Sequence, residues 1–232
     1  MNFCQANHPD HATKVVPVKF HSGLGGRMAV FDADLYSNTN GYCTGDDVVS
    51  RTLSTEGQWE RWNTEALVDR GVFCGNLVYD CGAHIGWFSI LAALSGCDVV
   101  AYEGDYENAD LLKWNAALNR VSDLIVVREE WIDDDWVPES EYRQVDLIKS
   151  DLEGNDQYVV NAFWDLIEAE LVHHLLIEVS PVFKPGYPDM VERLLRLGYK
   201  AEVSGPEFFE LPSVEWIESC HQADILFTLE SR

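Results

Sequence analysis

Two groups of residues have types and spacings that suit chemistry. In the run Ile148-Lys149-Ser150-Asp151-Leu152-Glu153-Gly154, charged residues alternate at the end of a mostly apolar stretch. If that stretch is a strand, a side-chain period of two sends Lys149, Asp151 and Glu153 to one side. Neighbouring carboxylates raise one another's pKa, so one can serve as a general base, with Asp151 the first candidate. A plainer reading pairs Lys149 with one acid and uses Glu153-Gly154 to cap the next helix. The second group is the turn Asp80-Cys81-Gly82-Ala83-His84-Ile85-Gly86, followed by Glu103 about 20 residues after Asp80. Gly82 would let a ligand approach the backbone, and Gly86 would allow close passage into a helix whose free N–H groups can take a carboxylate. Glu103 stands where a carboxylate can accept both ribose hydroxyls. The turn lacks the middle glycine of G-x-G-x-x-G, so a ligand with a ribose but no pyrophosphate fits better than a dinucleotide.

The surrounding pattern supplies the elements that must hold these groups. From Leu77 onward, apolar strands alternate with amphipathic helices, the signature of an α/β sheet whose ligands bind beyond the carboxyl ends of its strands. Strands are expected at 77–79, 98–102, 124–127, 145–151, 175–179, 200–203 and 223–229. Helices are expected from Trp87 to Leu94 and over 108–118, 156–172 and 187–197. An acidic loop at 129–141 separates the third and fourth of these strands. Residues 1–70 read as an N-terminal extension packed on the core, with extended pieces at 14–20 and 28–31, a turn at 37–41 and a helix near 46–53. Residues 71–232 then form the main domain. The expected fold is a Rossmann-like sheet of seven strands, mostly parallel with an antiparallel last strand, flanked by helices.

Composition narrows the partners. The 232 residues carry 40 Asp and Glu against 16 Lys and Arg, a formal charge of −24. Such a field repels nucleic acid and anionic membrane surfaces. The start lacks the basic flank and apolar run of a signal peptide, and no apolar stretch is long enough to cross a bilayer, so a soluble, cytoplasmic protein is expected. Six cysteines without C-x-x-C spacing read as buried reduced thiols. His173-His174 is expected at a helix end, capping carbonyls, and Asp133 to Asp135 as a solvated face.

The D-x-G-x-x-x-G turn followed by an acid closing the next strand resembles the S-adenosylmethionine site of Rossmann-like methyltransferases. A narrower resemblance rests on several blocks in order. These are Val78 to Ser89, Val100-Ala101-Tyr102-Glu103, Asn115 and Asn119, Asp146 to Gly154 and Leu176-Ile177-Glu178, with Gly57-Gln58-Trp59-Glu60 upstream. Together they look like the FkbM-type methyltransferases. His84 stands where that family usually has Asn, and Gly104-Asp105 replaces its Glu-Pro. The resemblance implies S-adenosylmethionine as cofactor and methyl transfer, commonly to a hydroxyl of a small molecule or glycan.

On this reading the cofactor residues are Glu60, Asp80, Gly82, Ala83, His84, Gly86, Glu103 and Gly104, with Glu129, Glu130 or Trp131 beside the adenine. Lys149, Asp151 and Glu153 are catalytic, and Glu178 and Phe183 meet the acceptor. No metal is required. A nicotinamide-dependent oxidoreductase and a non-catalytic scaffold on the same sheet are the alternatives.

Overall fold

The computed structural model describes residues 13–21, 23–31 and 47–230. The turn expected at 37–41, and Cys4 and Cys43, lie outside them. Strands β1 (Thr13–His21) and β2 (Leu24–Phe31) form an antiparallel hairpin, followed by helices α1 (Val48–Glu56) and α2 (Arg61–Asp69). Then come β3 (Leu77–Cys81), α3 (Trp87–Leu94), β4 (Asp98–Tyr102), α4 (Tyr106–Leu118), β5 (Ile125–Arg128) and β6 (Val145–Ser150). The chain continues through α5 (Asp156–Ala162), α6 (Trp164–Glu168), β7 (Val172–Val179) and α7 (Tyr187–Arg196). It closes with β8 (Tyr199–Val203), β9 (Phe209–Glu210), α8 (Val214–Ser219) and β10 (Ala223–Leu229).

The main sheet has the order β5-β4-β3-β6-β7-β10-β8-β9. Strands β3 to β7 run parallel, and β10 runs antiparallel between β7 and β8. The two-residue β9 at the edge makes eight strands where seven were expected. Its segment is too short for a period-two signal. The central strands are buried on both faces, so they read as continuous apolar runs. Alternate residues feed two cores. Val78, Leu147 and Leu176 pack toward α3, α4 and the hairpin, whereas Tyr79, Ile148 and Ile177 pack toward α5, α6, α7 and α8.

Asn115 and Asn119, one turn apart on α4, join the hairpin to this frame. The side-chain amide of Asn115 accepts from Ala29 N–H at 2.5 Å and donates to Ala29 O at 3.1 Å and Ile85 O at 2.8 Å. That of Asn119 accepts from Arg27 N–H at 3.1 Å and donates to Arg27 O at 2.7 Å. The two amides pair with backbone groups of β2 that would otherwise meet no strand.

Several local expectations need correction. The helix expected over 156–172 is two helices broken at Phe163, with β7 already under way at Val172. His173 and His174 therefore lie in a strand, not at a helix end, and His174 Nδ1 meets Thr228 Oγ1 across the sheet at 3.1 Å. Helices α2 and α8 lacked a periodic signal long enough to read. Of the described cysteines Cys81 and Cys97 are buried, Cys220 is half-buried, and Cys74 is exposed. No helix among the described residues is long and apolar enough to cross a membrane.

Candidate active site

A cavity of about 520 Å³ opens at the carboxyl ends of β3, β4 and β6. Gly82, Ala83 and His84 line it, as do Glu103, Gly104, Glu130, Trp131, Lys149, Asp151 and Glu153. Parallel strands turn into their helices at this edge, so backbone groups and strand-end side chains converge there.

At the β3 and β4 ends the turn is held by Glu103. One of its carboxylate oxygens accepts His84 N–H at 2.7 Å, the other Asp105 N–H at 2.8 Å. The carboxylate is thus fixed at the rim with a lone pair left on each oxygen. His84 adopts a left-handed backbone (φ 49°), unusual for a residue with a Cβ, and its Nε2 lies 3.4 Å from Asp47 Oδ1. Asp47 also caps α1, accepting from Val49 N–H and Ser50 N–H. Gly86 begins α3 with no side-chain cap of its own, and Asp80 accepts a backbone hydrogen bond from Ser89 in the first turn, so the Trp87 and Phe88 amides are the ones open to a ligand.

At Gly82 a Cβ would overlap the carbonyl of Asp151, because the turn after β3 crosses the end of β6, so the chain's own packing requires glycine at this point of the cavity wall. Gly86 does allow close passage, since its Cβ would stand 2.7 Å from Leu112 Cγ on α4. Gly104 seats the indole of Trp131, a side chain 75% exposed. Glu130 binds Trp136 Nε1 at 3.1 Å, and Glu129 turns outward to pair with Lys113.

Lys149 centres the other half. Only 4% exposed, its Nζ donates to Gly82 O at 3.1 Å and Asp151 Oδ2 at 3.3 Å, and lies 3.8 Å from Asp80 Oδ1. Burial disfavours the ammonium, but Asp151, Asp80 and Glu60 outweigh it and hold the pKa above the usual lysine range. Asp80 lies beneath the cavity, 1% exposed, with Ser89 Oγ donating to its Oδ2 at 2.6 Å, and burial pushes its carboxyl up.

The period-two expectation holds only for Lys149. Strand β6 ends at Ser150, and Asp151 and Glu153 belong to the following turn, with Glu153 in a left-handed backbone (φ 51°). They reach the same cavity through that turn. Nor does Glu153-Gly154 cap α5: Asp156 accepts Leu152 N–H at 3.0 Å and Gly154 N–H at 3.3 Å.

Glu60, Glu178 and Phe183 lie outside the cavity lining. Glu60 has a left-handed backbone (φ 39°, ψ 58°) and shares the Asn63 amide with Asp224 of β10. Asn63 Nδ2 lies 2.7 Å from an oxygen of each. Burial raises the Glu60 pKa to about 7, reinforced by Asp224 and Asp151 and opposed by Lys149. Glu178, 7% exposed, accepts from Ser180 Oγ at 3.2 Å and from Gln222. Burial, then Asp151, lifts it to about 8. Phe183 packs on Gly154 and is exposed.

Asn63, Asp224 and Asp47 escaped the sequence reading. Asp224 had one usable signal: an antiparallel last strand begins at the edge where the parallel strands end.

No family model matches the chain, and no curated protein does. Solved structures do. The T. thermophilus 16S rRNA N2 methyltransferase RsmC, in complex with AdoMet and guanosine, superposes at a TM-score of 0.54 and 13% identity over 94% of this chain. This chain has the Rossmann-like fold seen in that methyltransferase. It spans 51% of that structure's length. A TehB-like SAM-dependent methyltransferase from Corynebacterium glutamicum matches at 0.50 and 16% identity, over 78% of this chain and 94% of its own. In this fold Glu103, Lys149 and Asp151 stand at the carboxyl edge of the parallel strands, around the cavity.

Proposed function

We propose that the protein is an S-adenosylmethionine-dependent methyltransferase of the FkbM type, acting on a hydroxyl of a small molecule or glycan. The observation that carries this is Glu103, braced by two backbone amides at the rim of the cavity. Its remaining lone pairs suit a pair of ribose hydroxyls, and the uncapped start of α3 suits a carboxylate tail. Trp131 on Gly104, with Ile132, suits the walls of a purine pocket. The residues present therefore fit the cofactor.

When bound, S-adenosylmethionine supplies a methyl group on a sulfonium. Displacement in line destroys charge, so the protein must position the acceptor and exclude water more than stabilise a new ion. Asp151 faces the cavity and is oriented by Lys149. It would take the proton of an acceptor hydroxyl as that hydroxyl accepts the methyl group. Lys149, kept protonated, orients this carboxylate and the Gly82 carbonyl and does not serve as the base. The formal charge of −24 favours a small or glycan acceptor over a polyanion.

Thermal denaturation with S-adenosylhomocysteine or NAD tests the reading. A ligand at about 100 times its Kd stabilises by about 2.7 kcal/mol. S-adenosylhomocysteine should raise Tm, and Glu103→Ala should remove most of the rise. A shift with NAD alone would favour the oxidoreductase, and no shift with either the scaffold. Labelled donor offered with hydroxyl, amine and RNA acceptors then reports the acceptor class.

A further inference from the structure

We infer that the acceptor is a phenol, a hydroxyl carried on an aromatic ring, and that Val48, Val49 and Trp59 of the N-terminal extension form the surface that selects it. This rests on the donor reading above and narrows its acceptor from any small-molecule or glycan hydroxyl to one chemical class.

The cavity has two unlike walls. Ribose, adenine and carboxylate tail find their partners at Glu103, at Trp131 and at the first amides of α3. The extension contributes Asp47, Val48, Val49 and Trp59 to the lining. Asp47 is spent on the α1 cap and on His84, which leaves this part of the wall to carbon. Val48 is 49% exposed, an apolar side chain open to the cavity. A donor tail that ends in an ammonium and a carboxylate finds no partner on such a surface, so it is left to the acceptor.

A separate observation shows that this wall is built. Thr64, fully buried, donates its hydroxyl to Trp59 O at 3.0 Å and accepts from Trp87 Nε1 at 2.9 Å. The one polar atom of the Trp87 side chain is thereby used inside the protein, and the indole meets the cavity with ring carbons. Its neighbour Phe88 also lines the cavity, with Lys149 Nζ 5.5 Å from the ring centroid. The apolar wall therefore runs up to the ammonium that orients Asp151. An aromatic body lying on it can set its hydroxyl against that carboxylate.

Polar capacity at this end is small. Asn155 is engaged by Lys184, which leaves Asp151 and Glu153 to meet a hydroxyl. A sugar would press several hydroxyls against carbon, each giving up a water partner, whereas a phenol brings one. A carboxylate base also matches a phenol, which ionises at about 10, better than a sugar hydroxyl, which is a weaker acid.

Isothermal titration of the full chain saturated with S-adenosylhomocysteine compares 2-naphthol with methyl glucoside. The naphthol is expected to bind about tenfold tighter or more. With labelled donor the expected products are the methyl ether of 2-naphthol and S-adenosylhomocysteine, the hydroxyl proton passing to Asp151, and the glucoside should stay unlabelled. Val48→Asn should weaken 2-naphthol about fivefold and leave S-adenosylhomocysteine within about twofold. Trp59→Phe keeps a ring in the core and should weaken 2-naphthol as well. Glucoside binding as tight as that of 2-naphthol, undiminished 2-naphthol binding in both folded variants, or labelling of the glucoside alone or of neither alcohol overturns the inference by itself. Failure of S-adenosylhomocysteine to bind removes the donor reading and this inference with it.

Discussion

The indole of Trp131 rests on the backbone of Gly104 so closely that a Cβ there would stand 2.7 Å from both Cε2 and Cε3 of the ring. Gly104→Ala must therefore push the indole away from the cavity wall. S-adenosylhomocysteine is expected to bind the variant about tenfold more weakly, the loss of one aromatic wall. Calorimetry gives the affinity and tryptophan emission the displacement. Unchanged affinity together with a shifted emission would place Trp131 outside the binding surface.

Lys149 balances Asp80, Asp151 and Glu60 from a buried position. Replacing it with Met keeps the volume and strands those carboxylates. Breaking a buried pair in this way costs about 3–5 kcal/mol, read from urea denaturation. A loss below about 1 kcal/mol would mean that water already neutralises the cluster.

Asp146, fully buried in β6, anchors the loop before β3. It accepts Cys74 N–H at 2.7 Å, Asn76 N–H at 3.0 Å and Asn76 Nδ2 at 2.8 Å. Asp146→Ala leaves these donors without a partner and is expected to cost about 3 kcal/mol or more. The loop lies at the amino ends of β3 and β6, opposite the cavity, so ligand affinity of the folded variant should stay within about twofold of the parent. A large loss of affinity at full stability would show that Asp146 acts on the site.

Stability should fall as pH rises through neutrality. Glu60 titrates near about 7 and Glu178 near about 8 in the folded protein, both above the ordinary 4.5. Between these values the native state holds protons that the unfolded chain has released, so stability present at low pH is lost as pH rises through the folded pKa. His174, lowered by burial to about 4, acts oppositely, removing stability as pH falls below its ordinary value. Glu178→Gln isolates one group: it should lie within about 1 kcal/mol of the parent near about pH 5 and exceed it by about 4 kcal/mol near about pH 8. Equal stability at both would place the Glu178 titration in the ordinary range.

Much of the frame was legible because it is local. The strands β3, β4, β6 and β7 are buried on both faces and announce themselves as apolar runs, and the glycine turn after β3 sits between a strand and a helix with clear periodicity. Short elements were not legible. The two-residue β9 and the six-residue α8 present too few positions for a pattern, and the break at Phe163 follows from packing and not from a proline or glycine.

Residue types and spacing by themselves determined the α/β alternation, the acid at 103 and the Lys149-Asp151-Glu153 group, since each depends on neighbours within one strand-turn-helix unit. Only the tertiary structure decided that Glu60, Asn63 and Asp224 gather behind Lys149. These groups come from α2 with its cap, from the start of β10 and from the end of β6, far apart in the chain. They meet because β10 inserts antiparallel beside β7 and so begins at the edge where β6 ends. The tertiary structure also turned Gly82 toward the Asp151 carbonyl and Gly104 toward an indole. A glycine's neighbours across space are set by which strands lie side by side, and no local pattern encodes that.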